Sequence, residues 1–257
     1  MDAVTAGLAG RLISRSTRIV VLDFLLPPTT PRWLLRIALR RIDEFVVIRS
    51  GDTEILARLG VPTDRCRFVA FAAQANLAHH SAGIGEYVYS GGTAQRDWAT
   101  LADALGQSGV AALVSCPDEE QPFTANVLKL PLVGPAQGRK YLSGSRFLVQ
   151  AIVDNEQPSG PLLILDAFSA GKPVVASDVN GTRDYIEDDV NGVLVQPHNP
   201  AALAEAISAL YSDVDRVARM ADAARRTATE LSSTRFWGEA LAPYVGAGES
   251  SKETVPD

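Results

Sequence analysis

Short runs dense in Val, Ile and Leu alternate with helix-patterned stretches from one end of this chain to the other, and that alternation leaves few folds open. The first series reads strand "RIVVLDF" (18–24), a helix, strand "EFVVIRS" (44–50), helix "GDTEILARLG" and strand "RCRFVAF" (65–71). Residues 72–85, "AAQANLAHHSAGIG", lose periodicity and read as a linker. A second series follows with strands at "EYVYSGG" (86–92), "VAALVSC" (110–116), "NVLKLP" (126–131), "RFLVQAIV" (146–153), "PVVAS" (173–177) and "GVLVQP" (192–197). Helical stretches lie between them, among them "DWATLADALGQS" and "RKYLSGS", and Ala-rich helices follow Pro200. Near-continuous apolar strands separated by helices mean parallel sheets covered on both faces. In such sheets ligands bind beyond the carboxyl ends of the strands.

Composition narrows the function classes. A chain of 257 residues, 46% hydrophobic and 21% charged, buries a full globular core. Its apolar runs fall short of the ~18–20 residues of a membrane-spanning helix, and its start has no secretory apolar core. It reads as a soluble, cytoplasmic chain. The net charge of −6 argues against nucleic acid as a partner. Cys66 and Cys116 are too few for a disulfide framework or metal cluster and read as free thiols. Charge is uneven: residues 1–60 hold nine arginines and six acids, a net +3, which leaves −9 on the remainder. The excess centres on "TPRWLLRIALRRIDEF", where Arg32, Arg36 and Arg40 recur one turn apart. That stripe suits peripheral membrane contact through 32–41 and equally an ordinary solvated face packed on a sheet.

Two stretches carry candidate chemistry. In "YSGGTAQRDW" a strand ends in Ser90, Gly91 and Gly92 just before a helix starting near Asp97, offering bare backbone N–H groups to a phosphate. Arg96 stands close enough to neutralise a diphosphate. A tight turn with no ligand fits the same residues, and neither GxGxxG nor GxxxxGKT is present. In "EQPSGPLLILDAFSAGKPVVAS" an apolar helix starts near residue 160, with Ser159 or Gly160 as its cap and Pro161 in its first turn. Asp166 interrupts it, tilted back toward the mouth of the sheet, where a carboxylate accepts two ribose hydroxyl protons. An acid on an exposed side of the helix is the plainer alternative. Glu156, in the loop just before, brings a second carboxylate within reach. His79, His80 and His198 lack the partners and spacing of a metal site, and Asp118 to Glu120 read as a solvated loop.

On these residues the chain resembles the glycosyltransferase family 4 (group 1) enzymes. "LDAFSAGKPVVASDVNGTRDYIEDDVNGVLVQPHNPAALAEAI" matches their donor-binding half in residue types and spacing, and 41–71 resembles the end of their amino-terminal lobe. The resemblance implies a GT-B fold, α/β with two Rossmann-like parallel-sheet units, the first incomplete. It implies a partial amino-terminal lobe over 1–71, the linker 72–85 and a donor-binding domain over 86–234. A terminal helix over 235–247 would cross back to the first lobe, with a disordered tail at 248–257. It implies transfer of a sugar from a nucleotide-sugar donor with retention of configuration and without metal or other cofactor. By that likeness Asp166 holds the donor ribose, Gly91 and Gly92 lie under the diphosphate, Arg96 is near a phosphate-binding lysine, and Ser159 and Gly160 face the phosphate and sugar. Arg96 and Glu156 are then the catalytic candidates.

The chain departs from the family at three points. Pro158 stands where the first Glu of the E-x7-E motif would lie, eight residues before Asp166, so Glu156 is a shifted substitute. Thr93 and Ala94 replace the basic residue after the glycine turn. Only about 71 residues precede the linker, where a Rossmann-like lobe runs to ~100–150, and they contain no His. The leading expectation is a retaining glycosyltransferase acting on a polysaccharide or lipid-linked acceptor. The alternative is a glycosyltransferase-like nucleotide-binding or accessory subunit whose first lobe a partner chain completes; a third is another GT-B enzyme or an unrelated nucleotide-binding α/β protein.

Overall fold

The computed structural model describes residues 18–23, 30–73, 85–117, 123–154, 161–231 and 233–245. Two parallel sheets divide the chain. The first contains β1 (Val20–Leu22), β2 (Glu44–Val47) and β3 (Cys66–Phe68), in that spatial order. Between them run α1 (Arg32–Leu39) and α2 (Asp52–Arg58). Phe45 and Val47 on one face pack against Leu35 and Leu39 of α1 and Leu56 of α2. Val46 and Ile48 on the other pack against Phe236 and Ala240 of the last helix, α8 (Ser233–Val245). Alternate residues of β2 therefore serve opposite faces, as the pleat requires.

The second sheet has six strands: β4 (Val88–Ser90), β5 (Ala112–Ser115), β6 (Val127–Leu130), β7 (Leu148–Gln150), β8 (Val174–Ser177) and β9 (Gly192–Val195). Their spatial order is β6-β5-β4-β7-β8-β9. The chain moves outward from β4 to β6, then returns to lay β7 on the other side of β4. That reversal is the topological switch point, where open parallel sheets bind ligands. On one face Val88, Val114, Val149 and Val175 pack against α3 (Trp98–Ser108) and α6 (Pro200–Ser212). On the other, Tyr89, Leu113, Leu148 and Ala176 pack against α4 (Pro135–Gly144), α5 (Leu162–Ser169) and α7 (Val214–Glu230). Covering both faces explains why these strands read as unbroken apolar runs.

The strands are shorter than the runs that signalled them. "EYVYSGG" contributes only Val88–Ser90 and "RFLVQAIV" only Leu148–Gln150. Both cysteines are free thiols, Cys116 buried and Cys66 half-buried. Among the described residues, no helix is long and apolar enough to cross a membrane.

A buried polar junction ties the two sheets together. The Tyr185 hydroxyl donates to Ile48 O at 2.6 Å and accepts from Phe71 N at 2.9 Å. Asp184 accepts from Ser50 N at 2.8 Å, and Asn180 Nδ2 donates to Asp52 Oδ1 at 3.0 Å. Behind Asp52, the sealed Arg49 guanidinium pairs with it at 2.6 Å and with Asp23 at 3.1 Å. Burial pushes the Asp52 carboxyl up, with Arg49 opposing it. A Cβ at Gly51 would lie 2.6 Å from Asn180 Oδ1 and would displace the amide that donates to Asp52.

Candidate functional site

The glycine turn and α5 leave from β4 and β7, the two strands flanking the switch point. Gly92 has φ of 96°, a region that a side chain enters only with strain. Residues after the turn then run back along the segment leaving β7. Val153 N donates to Gln95 O at 2.9 Å and Asp97 N to Ala151 O at 3.0 Å, with Arg96 bridged to Ile152. Asp97 caps α3 as its position suggested, accepting from Thr100 N at 3.0 Å. Its other oxygen meets His198 Nδ1 at 2.7 Å, so His198 braces a helix cap.

Arg96 is turned inward. Its Nε donates to Gly91 O at 2.9 Å and one Nη to Ala94 O at 2.8 Å. The turn's own carbonyls thus take two of the donors a bidentate diphosphate contact would use. Burial lowers its pKa to about 10, so the guanidinium keeps its charge at neutral pH inside the turn. Beneath Gly91 lies the Tyr89 hydroxyl, which a Cβ there would approach to 2.7 Å. Burial, reinforced by Tyr141 and Tyr87, pushes Tyr89 up to about 12, and it stays neutral.

Asp166 does not stand on an exposed side of its helix. Its side chain is 15% exposed and faces α4, where Arg139 Nε lies 3.2 Å away. Burial raises its pKa despite the attraction of Arg139. Pro161 takes the cap position, with no side-chain cap bond, and the helix begins at Leu162, one residue later than Pro161 at N1 would place it. Glu156, Ser159 and Gly160, with His79, His80 and the acids at 118–120, lie outside the described residues.

Arg139, paired with Asp166, and Gln150, at the end of β7, are two further candidates that the sequence reading missed. Gln150 ends β7 in register with Ala176, on the same sheet face as Tyr89, Leu148 and α5. It is fully buried, and neither its amide oxygen nor its nitrogen has a hydrogen-bond partner. Such an orphaned amide is costly and calls for an explanation. Its only sequence signal is a glutamine interrupting "FLVQAI", weak by itself. Arg139 gave no signal, because its partner lies 27 residues away. Among the described residues, no three His, Cys, Asp or Glu side chains gather as metal ligands.

Comparisons with known proteins fit this geometry. Residues 118–213, all within the second-sheet half, match the family model for glycosyl transferases group 1. A D-inositol 3-phosphate glycosyltransferase of Xylanimonas cellulosilytica is 39% identical over 112 residues, which are 43% of this chain and 26% of that protein. The Salinispora arenicola protein of the same name is 40% identical over 90 residues, 32% of this chain and 20% of its own length. The matched stretch thus spans about a quarter of these relatives or less. Among solved structures, Anabaena Alr3699/HepE in complex with UDP superposes with a TM-score of 0.77 at 18% identity, over 95% of this chain and 75% of that one. A glycosyltransferase from Rickettsia africae gives 0.75 at 14% identity, over 96% and 74%. The chain has the GT-B fold, and residues 118–213 are similar to group 1 glycosyl transferases.

Proposed function

We propose that this chain moves a sugar, with retention of configuration, from a nucleotide-sugar donor to a hydroxyl acceptor. One observation carries the reading: the glycine turn and the helix bearing Asp166 meet at the switch point of a parallel sheet. In this reading the nucleoside lies between α4 and α5, its ribose hydroxyls donating to Asp166. Arg139 keeps that carboxylate ionised by opposing the cost of its burial. The orphaned amide of Gln150 lies on the same face at the strand end and gains partners when the donor binds. The diphosphate rests on the N–H groups of Gly91 and Gly92 and the start of α5, with the Arg96 charge directly beneath.

The chemistry follows from where charge develops. The bond between the sugar C1 and the phosphate oxygen breaks, and the electron pair leaves with the diphosphate. Fixed N–H dipoles and the Arg96 guanidinium stabilise that charge without reorganising. The acceptor oxygen attacks C1 from the face the diphosphate leaves, and its proton passes to the departing phosphate oxygen. No protein base is required, which suits a site whose Glu156 is only a shifted substitute. The complexes of Alr3699/HepE with UDP and UDP-glucose make a UDP-sugar the first donor to test. The acceptor class we favour is a polysaccharide or lipid-linked hydroxyl. The first sheet's three strands keep the accessory reading in view, in which the chain binds nucleotide and a partner chain completes the first lobe.

Slow donor hydrolysis followed by proton NMR tests turnover and stereochemistry together. The sugar first released from UDP-glucose or another UDP-hexose should carry the donor's own anomeric configuration. Release of the opposite anomer would refute retention, and binding without release would favour the accessory subunit.

A further inference from the structure

We propose that α1 is a docking face for an anionic bilayer surface. Leu35, Ala38 and Leu39 are its buried stripe. At about 100° per residue, the point farthest from that stripe falls between Trp33 and Ile37, one turn apart. Trp33 is 65% exposed and Ile37 43%. Arg36 and Arg40 border this apolar crown on one side and Arg41 on the other, all three exposed. Arg36 reaches a backbone carbonyl, Arg58 O, at 3.3 Å. No carboxylate occurs between Thr30 and Ile42 to offset these cations.

An ordinary solvated face carries charge at its crown, whereas this one carries tryptophan and isoleucine there with arginine at the rim. That order suits the interface of a membrane, where indole and aliphatic groups enter at headgroup depth and guanidinium groups meet lipid phosphates. The helix and its flanks, residues 30–42, hold four arginines and no acid, so an anionic surface attracts this face. Each arginine near such a surface raises partitioning about fivefold, so three give reversible, salt-sensitive attachment. The occupant that fits is a lipid surface carrying phosphate headgroups.

The test is co-sedimentation of the whole chain with phosphatidylglycerol–phosphatidylcholine vesicles against phosphatidylcholine alone, with circular dichroism as the folding control for each variant. Binding to the anionic vesicles, falling as salt rises, is the expected result. Arg36→Gln with Arg40→Gln should weaken it about 25-fold, and Trp33→Ser with Ile37→Ser should weaken it again. Vesicles should shift the tryptophan emission to the blue in the native chain but not in Trp33→Phe. Absence of binding to anionic vesicles, or binding indifferent to the arginine substitutions, would overturn the proposal. A dimer seen by light scattering that dissociates on Trp33→Ser with Ile37→Ser would assign the face to a second copy and overturn it as well. Vesicle binding needs neither donor nor acceptor, so its outcome is separate from that of sugar transfer.

Discussion

A carboxylate held half out of water beside a single guanidinium is a sensitive reporter of what a pocket is for. Asp166 has its pKa raised above the ordinary 3.8 by burial, and Arg139 is the group that limits the rise. An acid whose folded pKa is raised contributes stability that is full below its unfolded pKa and lost as pH rises through the folded one. Ribose binding by the ionised form runs the other way, weakening as pH falls through the folded pKa. Arg139→Met removes the opposing charge, so nucleotide affinity should begin to fall at a higher pH than in the native chain. Affinity measured across mildly acid pH checks this, and identical profiles would separate Arg139 from the site. Gln150 allows a test of the opposite kind. Replacing an unpartnered buried amide by an apolar side chain of similar volume is neutral or gains about 1 kcal/mol. Gln150→Leu should therefore hold or raise the melting temperature while weakening donor binding; a loss of stability with unchanged binding would mark the amide as structural.

At the level of elements, the alternation of apolar runs and helical patterns was enough to read two parallel-sheet units, because the four central strands of the second sheet are buried on both faces. Gly91, Gly92 and Asp166 were legible as candidates because a glycine pair at a strand end, or one acid in an apolar helix, is conspicuous locally. Arg139 and Tyr185 were not legible, since each acquires its role from a partner 27 or 137 residues away. The inward turn of Arg96 was also hidden, being set by the direction of the Gly91 and Ala94 carbonyls. Tyr185 joins the end of β2 and the residues after β3 to the second sheet through one hydroxyl. Tyr185→Phe leaves Ile48 O and Phe71 N without that partner and should cost about 1–3 kcal/mol. Urea denaturation gives the loss, and amide exchange should quicken at Phe71. A variant with native stability and exchange would show that the hydroxyl does not hold the lobes.

Over the whole molecule, two parallel sheets of unequal size are joined through the residues after β2 and β3 and those after β8, and the larger carries every described candidate for the donor. The likeness to group 1 glycosyltransferases runs through that same half, over 118–213. The smaller sheet contributes the junction at 48–52 and, on its outer side, the arginine-rimmed helix. The two proposals together divide the labour, with donor recognition on the second sheet and contact with the acceptor's surroundings on the first. The most direct test of the central claim is calorimetric titration of the purified chain with UDP, GDP and ADP, repeated with Asp166→Ala. The expected result is saturable binding of one nucleotide, UDP first among them, weakened about 10- to 100-fold in a variant with unchanged circular dichroism. No binding to any nucleotide, or equal affinity in native and variant chains, would contradict the assignment of this edge as a donor site.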